Sequence, residues 1–310
     1  MSCLENISTG WKHTTKMENN IIHVDLVIPA YDAYKFISKL FPRIQKQKQV
    51  SVDNIVLPIT KNNKKRDQKL IDYCKKHNIK YFLLDSKDFS HSLTREKAIK
   101  EYCSNRIVIL MSQDVRLIDD MAFYNLVRDI DRGISAYNYG KQIGPKRGIE
   151  HYIRQRNYRD ESFFASNGDI DRMHLMAFFA SDAFSALDRD IFIKIGGYQG
   201  ADLTTNEDMF YSYYILKNGY LKKYCSNAIV LHYHNMSLKK LYYRYKAVGI
   251  FFKENKLFED YKTNHAGFKL AFYILGKAII HFDILAVLYW PFNMAARFLG
   301  EKKGKHGRHK

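Results

Sequence analysis

The stretch IVILMSQDVRLID, residues 107–119, decides the predicted fold of this chain. Its first five residues are all apolar, a pattern typical of a strand buried on both faces of a parallel sheet. The chain then turns polar at Ser112, Gln113 and Asp114. Asp114 has two explanations: Asp favours the turns that follow strands, and ligands of open α/β sheets bind at the carboxyl ends of the strands.

Three similar apolar runs precede this stretch at intervals of about one βα unit. Between these runs, apolar residues recur at helical spacing, as in Phe36, Leu40 and Ile44 at i, i+4 and i+8. The order β-α-β-α-β-α-β predicts an α/β fold with a mainly parallel sheet flanked by helices. The three runs are VDLVIPA (24–30), NIVLPI (54–59) and IKYFLLD (79–85).

The second half of the chain is patterned differently. Residues 135–175 are polar and aromatic, which indicates a long excursion with some helix that covers a site. In residues 176–198, the first part resembles a strand, and a short helix follows that is closed by Gly196 and Gly197. Residues 204–220 predict a helix with Glu207 and Asp208 in its first turn, and residues 228–234 predict a further strand.

Composition limits the class of protein. Hydrophobic residues make up 46% of the 310 residues, enough for a sizeable core. The four cysteines lie far apart without a CxxC pair, which argues against a disulfide framework or a zinc site. Residues 1–20 are polar and do not resemble a signal peptide, so we expect a cytoplasmic protein.

A formal net charge of +18 requires an anionic partner. Nucleic acid, acidic lipid and nucleotide diphosphate all meet this requirement. Nucleic-acid binding stays open as an alternative function, although the basic residues cluster in lysine-rich runs and in the tail, and no nucleic-acid module is recognisable. We therefore expect no nucleic-acid partner.

The C-terminal segment, residues 266–299, is apolar and aromatic. Its longest stretch without charged residues, 284–296, has 13 residues and contains Pro291, whereas a spanning helix needs about 20. With the basic tail EKKGKHGRHK behind it, this segment predicts an amphipathic anchor on an anionic membrane surface. The alternative is a helix pair that packs on the core of the protein.

Two acidic positions can carry chemistry together. Glu207 and Asp208 lie in a first helical turn, where carboxylates also simply stabilise the helix dipole. Paired with Asp114, however, they supply one carboxylate for a hard divalent cation and a second as general base. This combination indicates group transfer from a nucleotide diphosphate.

The order of motifs resembles that of the family 2 inverting glycosyltransferases, in particular a rhamnosyltransferase-like branch. The resemblance covers residues 22–255 and implies one GT-A domain there, between an extension over 1–21 and a membrane-associating C-terminal amphipathic helical segment over 256–310. The motifs are VDLVIPAYD, FSHSLTREKA, ILMSQDVRLID, FFASDAFSALDRDIFIKIGGY, NEDMFYSYYILKNGY and LHYHNMS.

The resemblance implies roles for the site residues. Asp208 matches the Asp of an ED pair and would be the base, oriented by Glu207. Asp114 matches the last Asp of a D-x-D element and would hold Mg²⁺ or Mn²⁺, assisted by His234 of an H-x-HN element. Ser112 stands where the family has its first Asp. The implied donor-binding residues are Arg95, Asp32, Asp85, Gln113 and Asp114, with Asp85 standing in for a carboxylate that LPITKNNKKR (57–66) lacks.

The resemblance therefore implies a metal-dependent inverting transferase that moves rhamnose from dTDP-rhamnose to a lipid-linked surface polysaccharide precursor, on the inner face of the plasma membrane. A UDP-hexose donor is an alternative. A catalytically silent protein of the same fold is another, because Ser112 replaces a metal-binding carboxylate.

Overall fold

The computed structural model describes residues 21–232, 236–261 and 266–307. The strands are β1 (Ile22–Val27), β2 (Ala30–Tyr31), β3 (Val50–Thr60), β4 (Lys80–Leu84), β5 (Ile107–Met111), β6 (Arg116–Leu117), β7 (Tyr137–Ile143), β8 (Phe163–Ala165), β9 (Phe184–Asp188) and β10 (Lys222–Leu231). The helices are α1 (Tyr34–Ile44), α2 (Lys64–Lys76), α3 (His91–Tyr102), α4 (Ala122–Asp131), α5 (Ile149–Asn157), α6 (Ile170–Met173), α7 (Arg189–Lys194), α8 (Glu207–Lys217), α9 (Leu238–Glu254), α10 (Ala266–Ile280) and α11 (Ile284–His306).

The first half of the sheet is parallel, as predicted. Strands β4, β3, β1 and β5 lie side by side in that order, and every pairing among them is parallel. All five residues of β5 are buried, because helices cover both faces of this half. The carboxyl ends of β1 and β5 therefore meet at one edge, where the polar residues 112–114 follow β5.

The second half of the sheet is mixed. Strand β9 is antiparallel to both β5 and β7, and β7 pairs with β10 in parallel. The prediction of an irregular excursion over 135–175 misses β7, which lies inside the sheet. The strand predicted in the first part of residues 176–198 is confirmed over 184–188, which form β9. The residues before it do not extend the strand: His174–Ala177 form a 3-10 helix, and the carbonyl oxygens of Ala177 and Phe179 accept hydrogen bonds from Lys222 Nζ.

Two cores flank the sheet, and a third holds the C-terminal helices. Helices α1, α2 and α4 pack on one face, and α3, α7, α8 and α9 pack on the other. Helices α10 and α11 pack on α5 through a small cluster around Tyr152, Ile274 and Ala278. No helix in the described part of the chain is both long and apolar enough to cross a membrane.

Helices α9 and α11 approach each other unusually closely. At Gly300 and Gly304 of α11, a Cβ atom would collide with the backbone oxygens of Tyr242 and Lys246 of α9. A Cβ atom at Gly249 of α9 would collide with the carbonyl oxygen of Glu301. Glycine at these positions therefore permits backbone-to-backbone contact between α9 and the C-terminal helix.

Candidate active site

One glutamine side chain joins β2, the short strand just after β1, to the loop after β5. Gln113, just after β5, accepts a hydrogen bond from the Tyr31 backbone N–H at Oε1, over 2.7 Å. Its Nε2 donates to the Tyr31 carbonyl oxygen over 2.9 Å. Because both ends of this amide are engaged, Gln113 fixes the loop that carries Asp114.

A cleft of about 1020 Å³ opens beside this junction. Three of the predicted donor-binding side chains line it, namely Asp32, Gln113 and Asp114. The other charged residues of the lining are all basic, so the field in the cleft attracts an anion such as a diphosphate. These cations are Lys35, Lys39 and Arg43 of α1, Arg66 and Lys69 of α2, and Arg116 of β6.

Asp32 and Asp85, two carboxylates predicted to bind the donor, differ in position. Asp32 lines the cleft and pairs with Arg66. Asp85 begins a short 3-10 helix after β4 and lies 3.1 Å from Lys61 Nζ. Asp85 does not line the cleft, so a donor would reach it only by extending past the end of β3.

At the end of β10, His232 faces the loop after β5. Its Nε2 lies 3.5 Å from Asp114 Oδ1. Its Nδ1 lies 2.8 Å from Gln142 Oε1, and the same oxygen accepts a hydrogen bond of 2.9 Å from Arg154 Nη1. Three elements, β7, α5 and β10, thus converge on Asp114.

This network determines which nitrogen of His232 carries the proton. A guanidinium has only donors, so the Gln142 atom that faces Arg154 must be the carbonyl oxygen. Because this oxygen can only accept a hydrogen bond, His232 Nδ1 must carry the proton that it donates. In the neutral ring the lone pair of Nε2 then faces the carboxylate of Asp114.

A carboxylate oxygen and an imidazole nitrogen that face each other fit one divalent cation such as Mg²⁺ or Mn²⁺. Within the ranges that the structure describes, no group of three or more His, Cys, Asp or Glu side chains could hold a metal ion. Asp114 and His232 would therefore share the ion with oxygens of a substrate. His234, the other predicted metal ligand, lies outside the described residues.

A buried ion pair marks the start of α8. Arg95 Nη1 of α3 lies 3.1 Å from Glu207 Oε1, and both side chains are buried. Burial disfavours the charge on Arg95, but the carboxylates of Glu207 and Asp182 outweigh it and raise the pKa of Arg95. Arg95, predicted to contact the donor, does not line the cleft and instead neutralises the acidic cluster.

Asp182, to which sequence reasoning assigned no step, lies at the centre of that cluster. Its carboxylate accepts hydrogen bonds from the hydroxyls of Tyr137 and Ser185, each over 2.6 Å, and of Tyr198 over 3.1 Å. The backbone N–H of Tyr198 donates to Glu96 Oε2 of α3 over 2.9 Å. Three hydroxyl groups therefore hold the Asp182 carboxylate in place.

Asp208 borders this cluster. The Asp182 backbone N–H donates to Asp208 Oδ2 over 3.4 Å. Burial, together with the negative charges of Glu207 and Asp182, raises the pKa of Asp208 well above the ordinary value of a carboxyl group. A carboxylate with a raised pKa is a stronger base, which is what proton removal from a hydroxyl requires.

The two acidic positions lie at the same edge of the sheet. The Ser112 backbone N–H donates to the Ala183 carbonyl oxygen over 3.1 Å. Asp182, the neighbour of Ala183, is the residue whose N–H meets Asp208. Asp114 and Asp208, 94 positions apart in the sequence, are thus connected through two backbone contacts.

The chain is similar to two curated proteins over nearly its full length. It is 29% identical to the O-antigen chain rhamnosyltransferase RfbN of Salmonella typhimurium, over 91% of this chain and 90% of the relative. It is 26% identical to the O-antigen chain rhamnosyltransferase WbaN of Salmonella anatum, over 91% and 89%. No model of a protein family matches the chain.

Solved structures share the architecture. A mannosyltransferase from Pyrobaculum calidifontis in complex with GDP-Man and Mn²⁺ superposes with a TM-score of 0.60, at 12% identity over 92% of this chain and 88% of its own. TarS 1-349 of S. aureus in complex with UDP-GlcNAc gives 0.53, at 13% identity over 93% of each. The chain is a glycosyltransferase with the GT-A fold. The fold and the enzyme class implied by its motifs are confirmed.

In this GT-A glycosyltransferase, sequence reasoning missed two sets of residues. Lys35, Lys39 and Arg43 are spaced i, i+4 and i+8, which places them on one face of α1 and was a usable signal for a basic cleft. Gln142 and Arg154 carried no such signal, because their contacts with His232 join residues that are far apart in sequence.

Proposed function

We propose that this glycosyltransferase moves rhamnose from dTDP-rhamnose to a hydroxyl group of a lipid-linked surface polysaccharide precursor. The similarity to two O-antigen chain rhamnosyltransferases supports the transferred sugar and the polysaccharide acceptor. The observation that carries the proposal is the placement of Asp114, in a cleft of suitable charge, and of Asp208 at the same edge of the sheet.

The donor diphosphate occupies the basic cleft. Lys35, Lys39 and Arg116 are available there to contact phosphate oxygens, and Arg66 is held over the cleft by Asp32. Asp114 and His232 hold Mg²⁺ or Mn²⁺, which would neutralise charge on the departing nucleotide diphosphate. The Mn²⁺ and GDP-Man bound to the similar mannosyltransferase and the UDP-GlcNAc bound to TarS support this assignment.

The reaction is a single displacement with inversion at the anomeric carbon. Asp208 takes the proton of the acceptor hydroxyl as its oxygen forms a bond to that carbon. The bond from carbon to the diphosphate oxygen breaks, and its electron pair leaves with the nucleotide. Glu207, held by Arg95, orients Asp208, and its negative charge keeps Asp208 basic.

The acceptor is attached to a lipid, so we place the reaction on the cytoplasmic face of the inner membrane. The C-terminal helices α10 and α11 carry exposed apolar side chains and a basic end, which supports peripheral association there. Membrane attachment would concentrate the enzyme where its acceptor is embedded.

A donor panel tests the proposal. We expect dTDP-rhamnose to raise the melting temperature more than UDP- or GDP-sugars do, and only with Mg²⁺ or Mn²⁺ present. Incubation with a lipid-linked acceptor should give a product with inverted anomeric configuration by NMR. Preference for a UDP-hexose would show that dTDP-rhamnose is not the donor. Retention of the anomeric configuration would rule out a single displacement. Absence of both donor binding and transfer would leave a silent protein of the same fold.

A further inference from the structure

The C-terminal helix pair carries most of the exposed apolar surface of this protein. In the described part of the chain, 23 large hydrophobic residues are exposed, and twelve of them lie between residues 266 and 307. A concentration of exposed apolar side chains of this kind indicates an interaction site. The twelve are Phe268, Phe272, Ile279, Ile280, Phe282, Ile284, Leu285, Leu288, Tyr289, Phe292, Phe298 and Leu299.

The two sides of α11 have different partners. Its buried residues, Ala286, Asn293, Gly300 and Gly304, face the rest of the protein. A second face carries apolar residues at i, i+3, i+4, i+7 and i+14 that the protein leaves exposed. These are Leu285, Leu288, Tyr289, Phe292 and Leu299.

The corner between α10 and α11 carries the two most exposed of these side chains. Phe282 is 85% exposed and Leu285 is 80% exposed. Between them, the buried carboxylate of Asp283 accepts hydrogen bonds from the backbone N–H groups of Gly148, over 2.7 Å, and Ala286, over 3.2 Å. Asp283 therefore ties this exposed apolar corner to the start of α5.

The charges around this surface are almost all positive. Residues 266–307 contain six Lys or Arg residues and two acidic ones, of which Asp283 is buried and Glu301 pairs with Lys305. A contact between two copies through this surface would bring two positively charged surfaces together. Anionic lipid headgroups avoid this repulsion and complement the charge.

We propose that the outer faces of α10 and α11 dock on an anionic lipid surface, with Phe282, Ile284 and Leu285 entering the boundary between headgroups and acyl chains. Neither helix crosses the bilayer, because no helix in the described ranges is long and apolar enough; both lie in the interface. This inference rests on the proposed function, in which a lipid-linked acceptor is embedded in the same membrane.

Vesicle flotation of the full chain tests this surface. We expect the wild type to float with vesicles of phosphatidylcholine and phosphatidylglycerol, and less with phosphatidylcholine alone. The triple variant Phe282→Ser, Leu285→Ser and Leu288→Ser should bind the anionic vesicles at least about tenfold more weakly. The matched control is Leu83→Ser, Ile134→Ser and Ile193→Ser, three apolar residues that are 43–45% exposed elsewhere; it should float like the wild type.

Two results would overturn the inference. One is equal flotation of the triple variant and the wild type. The other is a dimer of the wild type in lipid-free sedimentation velocity, together with a monomeric triple variant. That result would show that the surface binds a second copy of the chain. Binding of dTDP-rhamnose and transfer to a soluble acceptor analogue should be unchanged in both triple variants, so a failure of the proposed function is recognised separately.

Discussion

His232 presents its Nε2 atom to Asp114 Oδ1 across 3.5 Å, and the orientation of its ring is set from behind by Gln142. The two facing atoms come from the end of β10 and the loop after β5. Partners behind a metal-binding histidine fix its tautomer and raise its basicity as a ligand. The affinity of this site for a metal should therefore depend on Gln142, which does not itself reach the ion.

Replacing Gln142 by leucine should weaken Mn²⁺ binding by roughly 10- to 100-fold. The variant loses the oxygen that holds the proton of His232 on Nδ1. Mn²⁺ titration followed by electron paramagnetic resonance, in the presence of dTDP, measures the change. Gln142→Glu keeps an acceptor for both Arg154 and His232 and should bind Mn²⁺ like the wild type. Equal affinity in the leucine variant would show that the ring needs no such support.

Asp208→Asn should lower kcat by roughly 10²- to 10⁴-fold, because the amide cannot take the proton of the acceptor hydroxyl. Donor binding should persist, since Asp208 does not line the cleft. Steady-state kinetics and calorimetric titration with dTDP-rhamnose separate the two effects. Asp202→Asn, a change at an exposed carboxylate just before α8, should leave both unchanged. If Asp208→Asn turned over near the wild-type rate, Asp208 would not be the base.

The same Asp208→Asn variant should become more stable relative to the wild type as the pH rises. Burial, Glu207 and Asp182 raise the pKa of Asp208, so its proton stabilises the folded state. That stabilisation is complete below the unfolded pKa of about 3.9 and is lost as the pH rises through the folded value. Melting curves between about pH 5 and pH 8.5 should show a widening gap; a constant gap would contradict the raised pKa.

Removing Arg95 should destabilise the fold strongly. Arg95→Met leaves Glu207 buried without its cation, at a cost of about 3–5 kcal/mol in the free energy of unfolding. The double variant Arg95→Met, Glu207→Gln should recover part of this loss. Lys97→Met, on the same helix, breaks an exposed pair with Glu101 and should cost less than about 1 kcal/mol. Urea unfolding measures all three, and equal losses at Arg95 and Lys97 would contradict the assignment.

Gly304→Ala should destabilise the contact between α9 and α11. The new methyl group would overlap the Lys246 carbonyl oxygen, so the two helices must move apart. Gly276→Ala is the matched control, because nothing lies within 4 Å of a Cβ atom there. In α10 this change should stabilise by up to about 1 kcal/mol through helix propensity. Thermal unfolding compares the two, and a stable Gly304→Ala variant would show that the close approach is dispensable.

The parallel half of the fold was predictable from sequence because its strands are continuous apolar runs. Strand β7 was not, although it is largely buried, since it reads as Tyr-Asn-Tyr-Gly-Lys-Gln-Ile. Its buried Asn138 is satisfied by Ser135 and by the carbonyl oxygen of Leu126. Buried polar residues whose hydrogen-bond partners lie in other elements leave no hydrophobic pattern in the sequence.

Local patterns single out individual residues of the candidate site but not the network around them. Asp114 and Asp208 were singled out because one follows a recognisable strand and the other opens a recognisable helix, and their roles stay predictions. The pairing of Arg95 with Glu207 joins positions 95 and 207, and Gln142 meets His232 across 90 residues. Such contacts depend on how the sheet is ordered, which local patterns do not specify.

The glycine contact between α9 and α11 joins the C-terminal helices, which we propose to bind lipid, directly to the glycosyltransferase domain. Helix α9 follows closely after His232 at the end of β10, so this contact would restrict changes in the separation between the proposed membrane surface and the cleft. Sugar would then be added only at a set height above the bilayer. The enzyme would then select acceptors by the distance between the terminal hydroxyl and the lipid. Acceptor choice would depend on the length of the growing chain as well as on its terminal sugar.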